Sequence, residues 1–245
     1  CLEVIADSGD EYIFDAGSGI RMLGNDLMTR GFAGKGKAKI FLSHLHHDHN
    51  EGWPFFTPAY VPGTEIEIYS GTRSGKAIED TIREKMHDPT FPVTLDQMMA
   101  KITFKNIPEG GIVENGLNVS YTQVNHPNQC FSYKVEEKDS EGRVAKTVVY
   151  ATDKEHDGNG KLGENDRKMV SWAKGADVLI YDAQYTPEEY NPADFGLKGM
   201  SKKGWGHSTY EKAIQVALEA GVKHVVLFHH DPSHDDKKMD DINER

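Results

Sequence analysis

The most constraining feature of the sequence is a histidine-rich stretch, His44-Leu45-His46-His47-Asp48-His49. It follows the apolar run Ile40-Phe41-Leu42, which predicts a buried strand. The stretch is therefore a loop at the carboxyl end of a strand, where α/β folds place their sites. Three imidazoles and a carboxylate in H-x-H-x-D-H spacing are costly to crowd together unless a cation binds them. Because neutral imidazole and carboxylate are ligands of Zn²⁺, Mn²⁺ and Fe²⁺, the loop predicts a metal site rather than a solvated turn.

Further ligands are expected at the ends of later strands. A catalytic ion needs about three protein ligands and an exchangeable water. His44 and His46 point the same way in an extended loop, because side chains alternate there. His126, after a predicted strand that ends at Val124, supplies a third ligand. Asp48 and His49 begin a second site, which a histidine from the C-terminal pair His229-His230 completes.

Composition limits the class of protein. A chain of 245 residues with 37% hydrophobic and 27% charged residues is expected to form one globular domain over 1–245. Its two cysteines, Cys1 and Cys130, favour reduced thiols and a cytoplasmic location. No apolar run is long enough to cross a bilayer, so no membrane contact is expected. The net charge of −11 argues against an extended nucleic acid as partner. Because the chain opens at Cys1 inside a predicted strand, a further strand is expected upstream.

The complete set of motifs resembles the metallo-β-lactamase fold, a superfamily of mostly dinuclear metal hydrolases. The branch that it resembles most holds tRNase Z and small cyclic-nucleotide phosphodiesterases. The resemblance covers nearly the whole chain. It rests on the histidine-rich loop and on Asn125-His126-Pro127, Ala151-Thr152-Asp153, Gly206-His207-Ser208-Thr209 and Phe228-His229-His230.

The resemblance implies a four-layer αβ/βα sandwich, and the alternation of predicted strands and helices supports that α/β fold class. The helices predicted from apolar periodicity include one over 20–30, one over 76–87 and one over 166–174. Another helix is expected to begin at a Ser208 cap and to bury Ile214 together with Val216. The apolar run 225–228 predicts a last, buried strand.

The resemblance also assigns roles to individual residues. It selects His229 as the C-terminal ligand, with His230 as the alternative, and makes Asp153 a carboxylate that bridges two ions. His207 corresponds to a general acid that protonates the leaving oxygen, and Asp182 to the group that orients it. Asp15 corresponds to a brace for a ligand imidazole. No role is assigned to four other histidines, although one of them, His156, follows Asp153 closely enough to contact a substrate; the four are His47, His156, His224 and His234.

The expected function is that of a metal-dependent phosphodiesterase. Two divalent ions, Zn²⁺ first and Mn²⁺ or Fe²⁺ as alternatives, would supply a bound hydroxide oriented by Asp48. The expected substrate is a small phosphodiester such as a cyclic nucleotide, and the resemblance favours a homodimer. Hydrolysis of a carboxylic ester, lactone, thioester or lactam with the same ions is the alternative activity. A metal-binding protein without turnover and a redox iron centre are lesser alternatives.

Overall fold

The computed structural model describes residues 1–32, 34–71, 75–157 and 160–244. Its strands form two sheets, of five and six strands. The chain divides into two compact units, 1–117 and 118–245. A single domain over 1–245 stays a prediction. None of the helices within the described residues is long and apolar enough to cross a membrane.

The first sheet has the strand order β1-β2-β3-β4-β5. Strands β1 and β2 form an antiparallel hairpin, and β2 to β5 are parallel neighbours. Their bounds are Leu2–Ile5, Glu11–Phe14, Lys37–Leu42, Glu65–Ser70 and Lys101–Asn106. The end of β3 is wholly buried, because Ile40, Phe41 and Leu42 are packed on both faces of the sheet. The histidine-rich loop starts directly after this buried end.

Two helices pack with the first sheet. Helix α1 spans Gly19–Thr29 and α2 spans Gly75–Lys85, within one or two residues of the bounds predicted from periodicity. Each turns an apolar side inward, with Ile20 and Leu27 buried on α1 and Ile78 on α2. Short 3₁₀ turns follow the histidine-rich loop at Trp53–Phe55 and Thr57–Tyr60.

The second sheet has the order β11-β10-β9-β8-β7-β6. Strands β9, β10 and β11 are parallel, and β8 runs antiparallel to β9. The bounds of β6 to β11 are Ile112–Glu114, Leu117–Val124, Cys130–Lys138, Val144–Ala151, Val178–Asp182 and His224–Phe228. Parallel strands end at one edge of a sheet, so the segments after β9, β10 and β11 emerge together.

Among the described residues of the second unit, four segments form α-helices. Their apolar contacts with the sheet include Met169 on α3 and Val216 on α5. Helix α5 ends at Gly221, whose φ of +65° is the left-handed conformation expected of a glycine that terminates a helix. Helices α3 to α6 span Glu164–Trp172, Pro187–Tyr190, Tyr210–Ala220 and Asp236–Asn243.

Three local predictions were wrong. The cap of α5 is Thr209, whose side chain accepts a hydrogen bond from the Lys212 amide, because the Ser208 hydroxyl contacts His156 instead. Ile214 is 39% exposed, since the apolar side of α5 is rotated toward Ala213. Strand β11 is an edge strand with Val226 44% exposed, so an unbroken apolar run did not mean burial on both faces.

Candidate metal centre

The histidine-rich loop folds its imidazoles toward one another. The His44 and His46 ring centroids lie 4.4 Å apart, and those of His44 and His49 lie 4.2 Å apart. His49 Nε2 is 3.1 Å from an Asp48 carboxylate oxygen. His44 and His49 are buried, whereas the Asp48 side chain is 58% exposed. The loop therefore brings together all four of its predicted ligands.

Asp15 braces this loop from beneath. Its carboxylate accepts hydrogen bonds from the Ser43 amide and the Ser43 hydroxyl, both at 2.7 Å, and lies 2.8 Å from His49 Nδ1. Burial alone would raise the pKa of Asp15. The nearby His49 and these hydrogen bonds outweigh burial, so the pKa is lowered and the carboxylate stays charged. Asp15 thus takes the position expected of a residue that holds a ligand imidazole.

Close backbone packing holds the same loop in place. A Cβ added at Gly17 would lie 2.3 Å from the Asp48 carbonyl oxygen. One added at Gly52 would lie 2.1 Å from the Gly17 carbonyl oxygen. Only glycine permits either approach, which explains why Gly17 follows Asp15 and Gly52 follows the histidine-rich loop.

A second cluster forms where β9, β10 and β11 end. Ligand atoms of Asp153, Asp182, His207 and His229 all lie within 4.8 Å of one another. Asp153 and Asp182 are 2% and 0% exposed. Two buried carboxylates beside two imidazoles favour a bound cation, because an uncompensated buried negative charge is costly.

Each of the two oxygens of the Asp153 carboxylate faces a different predicted ligand. Its Oδ2 lies 4.0 Å from His126 Nε2, and its Oδ1 lies 3.3 Å from His229 Nε2. Asp153 and His229 have φ values of +47° and +59°, which non-glycine residues rarely adopt. Asp15, with φ +61°, shares this feature. Backbone strain of this kind concentrates at functional sites.

His207 and Asp182 form the pair predicted for the proton donor. His207 Nδ1 is 2.8 Å from Asp182 Oδ2, and the other carboxylate oxygen accepts a 2.9 Å hydrogen bond from the Ser208 amide. The His207 ring is stacked on that of His229, with centroids 5.1 Å apart. With Nδ1 held by Asp182, His207 Nε2 is the nitrogen that can exchange a proton with a ligand.

Glu155 is a site residue that sequence reasoning missed. Its carboxylate accepts hydrogen bonds from the Gly204 amide at 2.7 Å, the Gly206 amide at 3.0 Å and the Tyr190 hydroxyl at 2.7 Å. The Gly206 carbonyl oxygen lies 3.0 Å from His126 Nδ1. Glu155 therefore fixes the segment that orients His126 and leads into His207. Its sequence neighbourhood carries no local signal, because the partners are 35 or more residues away.

The other histidines lie outside these clusters. His47 is exposed and 3.6 Å from Glu51, and His230 Nε2 contacts the Leu227 carbonyl at 3.1 Å. His156 is packed against Tyr190 and contacts the Ser208 hydroxyl. Burial lowers the pKa of His156 to about 4. His156 is therefore neutral near pH 7, and it supports the segment around Ser208.

The chain is similar to known proteins over most of its length. The family described as "Beta-lactamase superfamily domain" matches residues 11–230. Ribonuclease BN of Cronobacter sakazakii is 25% identical, over 89% of this chain and 78% of its own length. Ribonuclease Z of Halalkalibacterium halodurans is 23% identical, over 93% of this chain and 80% of its own length.

Solved structures show the same fold. The metallo-beta-lactamase fold protein YhfI from Bacillus subtilis superposes with a TM-score of 0.59 at 16% identity, over 95% of this chain and 79% of its own. The short form of human tRNase Z superposes with a TM-score of 0.57 at 21% identity, over 94% of this chain and 85% of its own. At these identities the likeness concerns the fold alone.

The predicted α/β class and the metallo-β-lactamase fold are thus confirmed. The family match covers most of the chain, and the buried histidine and aspartate clusters have the donor chemistry of a divalent-metal site. This chain belongs to the beta-lactamase superfamily as a metal-dependent hydrolase, and it is similar to the tRNase Z-like branch of that superfamily.

Proposed function

We propose that the protein hydrolyses phosphodiesters with two divalent metal ions. Zn²⁺ is the preferred ion, and Mn²⁺ or Fe²⁺ are the alternatives. Asp153 is proposed to bridge the two ions. The proposed ligands are His44, His46 and His126 for the first ion, and Asp48, His49 and His229 for the second.

The observation that carries this proposal is the orientation of Asp153. Its two oxygens face histidines assigned to different ions, His126 and His229. A carboxylate placed in this way would hold both ions, and two ions at one site would supply the charge neutralisation that in-line displacement at phosphorus needs. The left-handed backbone at Asp153 supports the proposal, because a strained conformation is retained where position matters.

The proposed mechanism divides the work between ions and side chains. The ions, when bound, lower the pKa of water and neutralise charge on the phosphoryl oxygens. Asp48 accepts a hydrogen bond from the attacking water and so aims it. Protonated His207 donates from Nε2 to the departing oxygen, while Asp182 holds Nδ1 and stabilises the imidazolium. The side chains thereby assist both the attack and the departure.

Two substrate classes are candidates. The relatives named ribonuclease Z and ribonuclease BN favour RNA as the substrate. A cyclic nucleotide, predicted from the sequence, is the second candidate, and the net charge of −11 favours it because a long phosphate backbone is repelled. Cleavage of a 3′-extended RNA and of cyclic AMP by the same metal-loaded preparation would separate them. A homodimer and a cytoplasmic location stay predictions.

The reaction type is tested by comparing substrates on one preparation. The metal-loaded protein should hydrolyse bis(p-nitrophenyl) phosphate faster than a lactone or nitrocefin, and Asp153→Ala should abolish that activity. A preparation that hydrolyses the lactone or nitrocefin but neither phosphodiester nor RNA would overturn the proposal in favour of the alternative ester or lactam chemistry.

A further inference from the structure

A pocket of about 700 Å³ lies within the unit formed by residues 1–117, and none of the proposed metal ligands lines it. Its volume is within the range of small-molecule sites in proteins. Its walls come from the segment after the histidine-rich loop and from the end of α2 with the loop that follows. The lining residues used below are Arg21, Asn50, Trp53, Phe55, Lys85 and Phe91.

Three aromatic residues, Trp53, Phe55 and Phe91, line this pocket. Phe55 and Phe91 meet edge to face, with ring centroids 5.5 Å apart and an interplanar angle of 82°. Phe55 is 53% exposed, Phe91 is partly buried and Trp53 is buried. Rings that line a pocket and keep part of their surface accessible offer faces on which a planar ring can stack.

The polar groups of the pocket carry both signs. Arg21 and Lys85 line it together with the carboxylates of Glu51 and Glu84. A mixed rim does not select a simple anion. It does offer donors and acceptors to the edge of a neutral heteroaromatic ring, as small-molecule sites with apolar walls and few polar groups do.

Asn50 connects the pocket to the metal loop. Its side-chain amide donates a 2.6 Å hydrogen bond to the His46 carbonyl oxygen, and Lys85 donates to its Oδ1. The amides of Asn50 and Glu51 both donate to the His47 carbonyl oxygen. The pocket wall is therefore part of the same turn that carries Asp48 and His49.

We propose that this pocket holds the nucleobase of a nucleotide whose phosphodiester is cleaved at the metal loop. The inference rests on the proposed phosphodiesterase function and adds the class of substrate. A base stacked against Phe91 would place its attached phosphate beside the turn that contains Asp48. The pocket would serve a cyclic nucleotide or one nucleotide of an RNA equally, because both present a planar base.

The test uses two p-nitrophenyl phosphodiesters with the same leaving group. Thymidine 5′-(p-nitrophenyl phosphate) carries a base, and methyl p-nitrophenyl phosphate does not. On metal-loaded protein, Phe91→Ala should raise KM for the thymidine ester about tenfold, as expected for loss of one stacking contact. Phe91→Tyr should restore the wild-type KM, and kcat/KM for the methyl ester should change less than twofold. Phe195→Ala, which removes a phenyl ring with 50% exposure in the other unit, is the matched control.

Equal effects of Phe91→Ala on the two esters, or none on the thymidine ester, would overturn the pocket assignment while leaving phosphodiester hydrolysis intact. If neither ester is hydrolysed, nucleotide binding tests the pocket assignment, and the proposed function has failed as well when RNA and cyclic AMP are not cleaved either. Calorimetry should then show adenosine 5′-monophosphate bound about tenfold more weakly by Phe91→Ala, with inorganic phosphate unaffected. Unchanged nucleotide affinity contradicts the inference. If light scattering also shows that the variant loses a dimer, the pocket is an interface between copies of this chain.

Discussion

Two carboxylates hold imidazoles of the site by the same atom. Asp15 lies 2.8 Å from Nδ1 of His49, and Asp182 lies 2.8 Å from Nδ1 of His207. In each case the carboxylate fixes the orientation of the ring. Because the carboxylate contacts Nδ1, the other nitrogen, Nε2, is the one that can bind an ion or donate a proton. Identical local chemistry thus serves a proposed ligand in one case and a proposed proton donor in the other.

Replacement of Asp182 tests the proton-donor role. Asp182→Asn keeps the size of the side chain but removes the charge that stabilises protonated His207. We expect kcat to fall about tenfold to a hundredfold for RNA or a cyclic nucleotide, whose alkoxide leaving group needs a proton. The rate with bis(p-nitrophenyl) phosphate should change little, because p-nitrophenolate leaves without protonation. An equal loss on both substrates would show that Asp182 acts otherwise.

His156 gives a prediction about stability. Burial lowers its pKa to about 4 from an ordinary 6.5, so the unfolded chain binds an additional proton between these values. Stability from the neutral imidazole is present above pH 6.5 and is lost as pH falls toward 4. In His156→Asn, the decline in the free energy of unfolding over this range should be shallower by at most about 1.4 kcal/mol per pH unit. Urea unfolding measured at several pH values checks this, and identical slopes would contradict it.

The sequence predicted the residues that carry a metal-ligand motif. It predicted roles for His207 and Asp182 only through resemblance, and it gave no indication of Glu155. The partners of Glu155 include the backbone amides of Gly204 and Gly206, and no pattern of side chains in the sequence predicts such contacts. Hydrogen bonds to distant backbone depend on tertiary structure, so they lie beyond local sequence reasoning.

At the scale of elements, the segment 204–209 leads into α5. It contains the proposed proton donor His207, the helix cap Thr209 and Gly206, which contacts His126. Gly206 has φ +93°, and its carbonyl oxygen lies 3.0 Å from Nδ1 of His126. A Cβ on Gly206 would lie 2.2 Å from that nitrogen. Gly204 has a similar φ of +85°, but an added Cβ there meets nothing within 4 Å.

These two glycines form a matched pair for mutation. Both Gly206→Ala and Gly204→Ala place alanine at positive φ, so the cost in backbone strain is alike, roughly 1 kcal/mol. Only Gly206→Ala also displaces the His126 ring. We expect Gly206→Ala to lower bound metal and to reduce activity at least tenfold, with Gly204→Ala close to wild type. Metal analysis with steady-state rates checks this, and equal behaviour of the two variants would contradict the proposed role of His126.

Element prediction succeeded where periodicity was strong and failed where context decided. Helices α1 and α2 were located within one or two residues, because their apolar patterns repeat clearly. Strand β11 was expected to be buried, yet it lies at the edge of its sheet. Strand order is not encoded in a local run of apolar residues, and neither is the choice between Ser208 and Thr209 as a helix cap.

At the scale of the whole molecule, the proposed ligands are spread from His44 to His229. Because ions bind the folded chain and not the dispersed ligands of the unfolded one, binding should stabilise the fold. Removal of metal by a chelator should lower Tm by several degrees, and re-addition of Zn²⁺ should restore it. Differential scanning calorimetry measures this shift. If the protein is confirmed to have held metal and its Tm does not change on chelation, metal binding and folding are not coupled.

The proposed two-ion site is tested most directly by the metal content per chain of wild type and Asp153→Ala, measured beside phosphodiesterase activity on the same preparations. Active wild-type protein should hold two ions per chain. Asp153→Ala should lose at least one ion and show at least a hundredfold loss of activity. Full activity with a single ion, or a variant that retains both ions and its activity, would contradict the bridging role of Asp153.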